Sequence, residues 1–227
     1  MIGIIGAMTL EVLDLVDNIS DCKKETISGI DFYSGTIDKN EVVVAKSGIG
    51  KTFAAMCSEI MILKYHVDEV VHIGIAGALS EKLGIKDVAI ASSVVQHDLN
   101  SIPFDPKYGL IEDLNMVEIP CDKEIVNKIV KCAENLNVKY LIGVIASGDQ
   151  FIDNENEKER IKKNFNAIAA EMEGASTGLV CYVNKVKFCV LRAMSDKSDE
   201  NAEDDYYSQK KIASDVSTRI ILSYLKM

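Results

Sequence analysis

The sequence has few histidines, few prolines and no closely spaced cysteine pair. Only three histidines occur among 227 residues, and none is placed to share a metal ion with a second ligand on one helix turn. A zinc site would therefore have to assemble from distant pieces, and we expect no metal. The six cysteines include no Cys-x-x-Cys pair and lie mostly in apolar stretches. This excludes a small disulfide-stapled fold and favours reduced thiols in the cytosol.

Long apolar runs and an excess of positive charge are also missing. No uncharged apolar run approaches the ~18 residues that span a bilayer, and the first residues lack the basic character of a signal peptide. The formal net charge is -10, from 35 acidic against 25 basic residues. Such a surface repels nucleic-acid phosphates and anionic lipid alike. We expect a cytoplasmic protein with neither nucleic acid nor membrane as its partner.

What the chain does contain is an alternation of β-branched apolar runs with helical patterns, without a linker that divides it. Residues 1–227 are thus predicted to form one α/β domain, with several strands apolar on both faces because helices cover them. Strands are predicted at Ile2–Ile5, Ile30–Ile37, Glu41–Lys46, Glu69–Ile75, Asp87–Gln96, Lys139–Ala146, Ala167–Ala170 and Lys187–Ala193. Helices are predicted at Leu10–Ile19, Lys51–Lys64, Asp122–Leu136, Glu155–Asn164, Glu173–Tyr182 and Asp205–Leu225.

Two segments lack regular patterns. Ser101–Pro120 contains all three prolines, which predicts a long irregular loop of the kind that forms lids or subunit contacts. In Asp196–Asp205, six of ten residues are acidic, which is typical of a solvated loop.

Small or chemically useful residues follow five predicted strands. The carboxyl ends of strands in α/β sheets border the ligand crevice, where glycine lets a ligand approach the backbone. The five turns are Gly6-Ala7-Met8, Ser47-Gly48-Ile49-Gly50, Gly74-Ile75-Ala76-Gly77, Ser147-Gly148-Asp149 and Met194-Ser195-Asp196. The sequence therefore predicts a site along this edge of the sheet.

A phosphate-binding loop is a weaker interpretation of one of these turns. Gly50-Lys51-Thr52 matches the end of a Walker motif, but Ala45 stands where its first glycine is required and lies inside a predicted strand. No convincing magnesium-binding aspartate completes the motif. Nucleoside triphosphate hydrolysis is therefore disfavoured.

Carboxylates near the same edge indicate acid–base chemistry. Glu11 follows the first strand, Glu171 and Glu173 flank Met172, and Asp196 follows the strand that carries Arg192. Acids in different surroundings can divide general-acid and general-base work, as hydrolysis of a glycosidic bond requires. Two simpler interpretations stay open: Glu11 as a first-turn acid favoured by the helix dipole, and Asp196 as a turn or helix cap.

Taken together, five motifs resemble those of the 5'-methylthioadenosine/S-adenosylhomocysteine nucleosidases, a family of the nucleoside phosphorylase superfamily. They appear in that family's order and spacing over essentially the whole chain. The motifs are Ile4-Ile5-Gly6-Ala7-Met8 with Glu11, Lys46-Ser47-Gly48-Ile49-Gly50-Lys51, Ala146-Ser147-Gly148-Asp149-Gln150-Phe151-Ile152, Glu171-Met172-Glu173, and Arg192-Ala193-Met194-Ser195-Asp196. The resemblance implies a three-layer α/β/α fold with a mixed central sheet.

It also implies hydrolysis of the bond between adenine N9 and ribosyl C1' by water, without a cofactor, in methionine salvage and S-adenosylmethionine recycling. Asp196 is the expected general acid at adenine N7, helped by Ser195 and held by Arg192, while Glu11 activates the water. The other expected contacts are Glu173 and Met172 at the ribose, Phe151 and the Ile152 backbone at adenine, Gly77 at the site's edge, Met8, Ile49 and Met172 at the 5'-alkylthio group, and Phe104 from the partner subunit of a homodimer.

Two positions depart from the family or lack a role. Ile75 stands where family members commonly carry a small hydroxyl residue, which removes a polar group near the ribose and the water. Glu171 has no assigned role, although it could orient Arg192. The preference among methylthioadenosine, S-adenosylhomocysteine, 5'-deoxyadenosine and aminodeoxyfutalosine is not set by these motifs.

Two other functions are weighed against hydrolysis. A purine nucleoside phosphorylase of the same superfamily would need a phosphate clamp, for which arginine is best suited. The chain has only three arginines, none in its first 159 residues, and it places Glu11 where phosphate is expected. A non-catalytic nucleoside-binding protein would have no need of both Glu11 and Asp196.

Overall fold

The computed structural model describes residues 1–101 and 108–227, in which strands and helices alternate. The strands are β1 (Ile2–Gly6), β2 (Ser20–Ile27), β3 (Ile30–Ile37), β4 (Asn40–Lys46), β5 (Glu69–Ala78), β6 (Val88–Gln96), β7 (Ile119–Pro120), β8 (Tyr140–Ser147), β9 (Ala167–Glu171) and β10 (Lys187–Asp196). The helices are α1 (Thr9–Asp17), α2 (Lys51–Tyr65), α3 (Lys123–Asn135), α4 (Glu155–Phe165), α5 (Gly174–Asn184) and α6 (Ala202–Tyr224).

The strands form one mixed sheet, which confirms the predicted fold class. Its order is β10-β6-β8-β9-β5-β1-β4-β3-β2, and β10 also pairs with β5. Strands β5, β9, β8, β6 and β10 therefore close into a ring. The long strand β5 makes this possible, because its first half pairs with β1 and its last residues, Gly77 and Ala78, pair with β9.

Helices cover both faces of the sheet, as the apolar strands predict. Helices α2 and α5 pack together on one face, while α1, α3 and α6 pack together on the other. Helix α3 shows how the sequence sets these contacts. Asp122 caps it, with Oδ1 accepting from Glu124 N at 3.0 Å and Ile125 N at 3.1 Å, and Ile125 and Ile129 are buried. The three-layer architecture follows.

Several predicted boundaries differ from the structure. Strand β2 was not predicted, because its residues are almost all exposed and polar and therefore show no apolar alternation. Segment Ser101–Pro120 is not wholly irregular, since its described part contains a 3-10 helix at Glu112–Leu114 and the short strand β7. The acidic segment is not all loop, because α6 begins at Ala202. Three acidic residues there fall in its first turn, where the helix dipole favours them.

Strands β5 and β10 run further than predicted. Gly77 and Asp196 belong to the last residues of these strands rather than to the turns beyond them. Backbone pairing therefore places them rigidly, with Asp196 opposite Gly77 across a bulge between the two strands. Among the described residues, no helix combines the length and apolar character that crossing a bilayer requires.

Candidate active site

A cavity of about 350 Å³ opens at the carboxyl ends of the central strands. Its size and its mixture of apolar walls with a few polar groups suit a small organic ligand. The lining residues are Ala7, Met8, Glu11, Ile49, Ile75, Ala76, Gly77, Phe151, Asp153, Ala170, Glu171, Met172, Glu173, Ser195, Asp196, Glu203, Tyr206 and Tyr207. All four predicted carboxylates, those of Glu11, Glu171, Glu173 and Asp196, thus line one space.

Glu11 lies in the first turn of α1 and faces the cavity. Its Oε2 accepts from Met8 N at 2.8 Å and its Oε1 from Ile75 N at 3.1 Å. Gly74 makes room for it, because a Cβ there would lie 2.6 Å from Oε1. Burial raises the pKa of Glu11 above its ordinary value, against the opposing effect of the Arg192 charge. Glu11 is therefore both an acidic residue in the first turn of a helix and a residue that lines the cavity.

Asp196 ends β10 and is held by its own chain neighbours. Its Oδ2 accepts from Ser195 Oγ at 2.7 Å, and its Oδ1 accepts from Ser198 N at 2.9 Å. The bond from Ser198 N is the turn cap that the sequence also allowed as a role for Asp196. Burial raises the pKa of Asp196 above its ordinary 3.8, while both hydrogen bonds lower it. A buried carboxyl of this kind retains its proton to higher pH than an exposed aspartate does.

Glu173 precedes α5 and is buried beside another carboxylate. Its Oε1 accepts from Gly50 N at 2.9 Å, so the turn after β4 contacts the turn after β9. Burial, followed by the charge of Glu171, raises the pKa of Glu173 to about 8. The opposing charge of Arg192 acts from 3.8 Å, between Nη2 and Oε2. Near neutral pH, the Glu173 carboxyl group that lines the cavity is therefore neutral or only partly ionised.

The expectation that Arg192 holds Asp196 is wrong. The Arg192 guanidinium lies beneath the cavity and binds Glu171, with Nε at 3.1 Å from Oε2 and Nη2 on the same oxygen. Its Nη1 donates to the His72 carbonyl at 3.0 Å. The interpretation that Glu171 orients Arg192 therefore agrees with the geometry, because a buried guanidinium is stabilised by a partner of opposite charge.

Aromatic side chains form the outer part of the cavity. Phe151 packs edge-on against Tyr206, with ring centroids 5.6 Å apart, and Tyr206 packs edge-on against Tyr207 at 5.4 Å. The Tyr206 hydroxyl lies 3.4 Å from Met8 Sδ. Tyr206, Tyr207 and Glu203 were not among the predicted site residues. Glu203 was assigned to the acidic loop, whereas both tyrosines lay in the predicted helix Asp205–Leu225 without being expected at the site. No local motif marks them.

Comparison with known proteins places the chain in a family. The family model described as the phosphorylase superfamily matches residues 1–226. The chain belongs to the phosphorylase superfamily. Within it, the 5'-methylthioadenosine/S-adenosylhomocysteine nucleosidase of Staphylococcus aureus is 37% identical over 204 residues, which cover 89% of each chain. This identity places the chain among the nucleosidases of the superfamily and confirms the resemblance that the five motifs indicate.

Solved structures agree. The Neisseria meningitidis nucleosidase, in complex with methylthio-immucillin-A, is similar with a TM-score of 0.95 and 27% identity, over 99% of this chain and 98% of that one. Helicobacter pylori futalosine hydrolase is similar with a TM-score of 0.94 and 34% identity, over 99% and 97% of the two chains. A chain named as a nucleosidase and one named as a futalosine hydrolase thus share this fold.

Most of the binding residues expected from the nucleosidase motifs line the cavity. Met8, Ile49, Gly77, Phe151 and Met172 all do so, together with Ser195. Ile152 is buried and lines a small adjoining cavity rather than the main one. Arg192 supports the cavity from below, as described above, and Phe104 lies outside the described residues.

Near the cavity, the charged group at the start of α2 pairs with other side chains. The Lys51 ammonium, expected at phosphates in a Walker loop, instead contacts Asp98 Oδ1 at 2.7 Å and Gln96 Oε1 at 3.2 Å. Within residues 1–101 and 108–227, histidine, cysteine, aspartate and glutamate side chains form no group of three that could hold a metal ion.

Proposed function

We propose that this nucleosidase hydrolyses the N9–C1' bond of 5'-methylthioadenosine and S-adenosylhomocysteine, releasing adenine and the 5-thioribose product with water as nucleophile and no cofactor. The observation that carries the proposal is the meeting of Glu11, Glu173 and Asp196, each in a different environment, in one apolar-walled cavity. Carboxyl groups whose surroundings separate their protonation states can serve as acid, base and binding group.

Asp196 is the general acid. Its raised pKa favours the protonated carboxyl, which donates to adenine N7 as the N9–C1' bond breaks and its electron pair moves onto the base. Ser195, bonded to Asp196 at 2.7 Å, orients that carboxyl. The neutral base that leaves is a far better leaving group than an adenine anion.

Glu11 is the general base and Glu173 the ribose-binding group. The water oxygen attacks C1' and loses a proton to Glu11, whose two oxygens are fixed by the amides of Met8 and Ile75. Positive charge develops on the ribosyl ring as the bond loosens, and carboxylates close to it stabilise that charge. Glu173 binds the 2' and 3' hydroxyls from the start of α5.

Apolar residues hold the two ends of the nucleoside. Phe151 stacks on adenine and the Ile152 backbone binds its edge, while Met8, Ile49 and Met172 surround the 5'-alkylthio group. Ile75 stands where relatives commonly carry a hydroxyl group, so that hydroxyl is missing here. The Ile75 backbone amide nevertheless donates to Glu11. Glu11, the general base, therefore stays oriented without that hydroxyl.

The cavity suits water as the nucleophile better than it suits phosphate. Among the described residues that line the cavity there is no arginine. Arg192 is already bound to Glu171, and Arg160 binds Glu157. The cavity instead presents Glu11 at the position of attack, and a carboxylate there repels a phosphate dianion.

A homodimer completes the mouth of the cavity in this proposal, with Phe104 contributed by the partner. Ile49 and Phe151, which line the cavity, support it, since these residues are 54% and 45% exposed. Such large exposed apolar groups often mark a contact surface. The six cysteines are free thiols, which suits a cytoplasmic enzyme of methionine salvage.

The test is a product assay with methylthioadenosine, S-adenosylhomocysteine, 5'-deoxyadenosine and aminodeoxyfutalosine, each with and without phosphate. We expect free adenine at the same rate in both buffers, and mass spectrometry should find 5-methylthioribose from the first substrate. A phosphate-dependent rate with a sugar 1-phosphate would assign the chain to the phosphorylases instead. Tight binding without product would assign it to non-catalytic nucleoside-binding proteins.

A further inference from the structure

Glu171 is a buried acidic group for which the proposed mechanism has no chemical step. It is the last residue of β9 and lies two positions before Glu173, and its side chain is only 2% exposed. Removing a carboxylate from water is unfavourable unless hydrogen-bond donors replace the water. The donors that surround Glu171 therefore indicate what it does.

Those donors come from three separate elements. Ser147 Oγ, at the end of β8, donates to Oε1. The first amides around α5 donate as well, with Glu173 N at 3.1 Å and Gly174 N at 3.0 Å and 2.8 Å from the two oxygens. Arg192 on β10 contributes two guanidinium nitrogens. One carboxylate thus links β8 and β10 to the start of a helix, where unpaired amides favour an anion.

The backbone is shaped to admit this carboxylate. A Cβ at Gly174 would lie 3.2 Å from Glu171 Oε2 and 2.9 Å from Val190 Cγ1, so a larger residue would displace the helix start. Ser147 Oγ also accepts from Ala175 N at 2.7 Å. The Ser147 hydroxyl therefore binds both Glu171, which precedes Glu173, and Ala175, which follows it.

We propose that Glu171 is a positioning residue: by holding Arg192 and the first turn of α5, it fixes the Glu173 carboxyl group at the place where the ribose hydroxyls bind. The inference rests on the proposed function, in which Glu173 binds those hydroxyls. The charge of Glu171 also acts directly on Glu173, since it helps to raise the pKa of that carboxyl. Glu171 touches no reacting atom in this scheme.

The experiment is a double-mutant cycle with Glu171→Gln, Glu173→Gln and the double variant, assayed for kcat and KM on methylthioadenosine. Glutamine keeps the size of Glu171 but removes its charge, so Arg192 and the α5 amides lose their anionic acceptor. We expect Glu171→Gln alone to lower kcat/KM by ~100-fold, the scale of a misplaced binding group. In the Glu173→Gln background the same change should cost less than ~3-fold, because no positioned carboxyl remains.

A matched control and a second substrate sharpen the result. Glu134→Gln makes the same chemical change at an exposed position on α3, where the Glu134 carboxylate accepts from the Tyr140 hydroxyl at 2.9 Å, and it should leave kcat/KM unchanged. With a 3'-deoxy analogue of methylthioadenosine, the loss caused by Glu171→Gln should shrink, because one hydroxyl that Glu173 binds is missing.

Equal losses from Glu171→Gln in both backgrounds would overturn the inference, since Glu171 would then act independently of Glu173. If Glu171→Gln fails to fold by circular dichroism, Ser147→Ala takes its place, with an expected loss of ~10-fold that disappears in the Glu173→Gln background. Persistence of that loss there would overturn the inference too. Failure of the proposed function is distinct, because the unmodified enzyme would then release no adenine from any substrate.

Discussion

At neutral and alkaline pH, the buried Glu173 carboxyl group should lower the stability of the folded protein. The carboxyl is buried, accepts one backbone hydrogen bond from Gly50 N at 2.9 Å, and lies near the charge of Glu171. Its pKa is raised from 4.5 to about 8, with burial as the largest cause. Replacing it with glutamine keeps an acceptor for the Gly50 amide and removes the ionisable group. We therefore expect Glu173→Gln to stabilise the protein while it lowers activity.

The sign of the pH dependence follows from the raised pKa. Because the folded state binds this proton more tightly than the unfolded chain does, the stabilising contribution is complete below pH 4.5 and is lost as pH rises to about 8. Each pKa unit corresponds to ~1.4 kcal/mol, so the loss over this range is at most about 5 kcal/mol. The glutamine variant carries no such dependence at this position.

The assay is thermal unfolding of the wild type and Glu173→Gln at about pH 5 and about pH 8.5. For a chain of this size, 1 kcal/mol moves Tm by roughly 2–4 °C. The Tm advantage of the variant should therefore grow by ~5 °C or more between the two pH values. Glu134→Gln, which changes an exposed carboxyl, should show no such growth. A Tm difference that stays constant with pH, or that moves against the variant at high pH, would refute this account of Glu173.

Three further predictions concern the other carboxylates. Asp196→Asn keeps an acceptor for Ser198 N but cannot donate the acid's proton as readily, so kcat for adenine release should fall ~100-fold or more; near-normal turnover would contradict the assignment. Glu11→Gln should leave methylthioadenosine uncleaved in soaked crystals, whereas adenine at the wild-type rate would leave Glu11 with its helix-start role alone. Gly77→Ala should lower kcat at least ~10-fold, because the new Cβ would lie 2.6 Å from Asp196 Oδ1 and closer still to Ser198 Oγ. Gly84→Ala is its control, since the nearest atom to a Cβ there is Asp87 Oδ2 at 3.5 Å.

Much of the layered fold could be predicted from local patterns. Apolar runs located the buried strands, and the 3.6-residue period with the Asp122 cap located α3. The candidate carboxylates were also predictable, because residues that follow parallel strands meet at one edge of the sheet. These inferences succeed because each depends on neighbours in the chain or on a general rule of sheet topology.

Other features depend on long-range packing that no local pattern records. The partner of Arg192 is Glu171 rather than Asp196, a choice set by the registers in which β9 and β10 each pair with β5. Placing Glu203 at the cavity required knowing that α6 starts before the end of the acidic segment, and placing Tyr206 there required knowing where α6 packs on the sheet. The acidic composition favoured a solvated loop up to Asp205, although acidic residues are equally typical of the first turn of a helix.

The exposed strand β2 has a consequence for solubility. It stands at the end of the sheet order, paired on one side with β3, and a sheet edge offers backbone groups to other chains. Its central residues Lys23, Lys24 and Glu25 are exposed and charged, and charge on an edge strand opposes the docking of a second sheet. The polarity that hides β2 from sequence patterns thus protects the protein from aggregation. Apolar β-branched residues at these positions would make the strand easier to recognise and the protein harder to keep in solution.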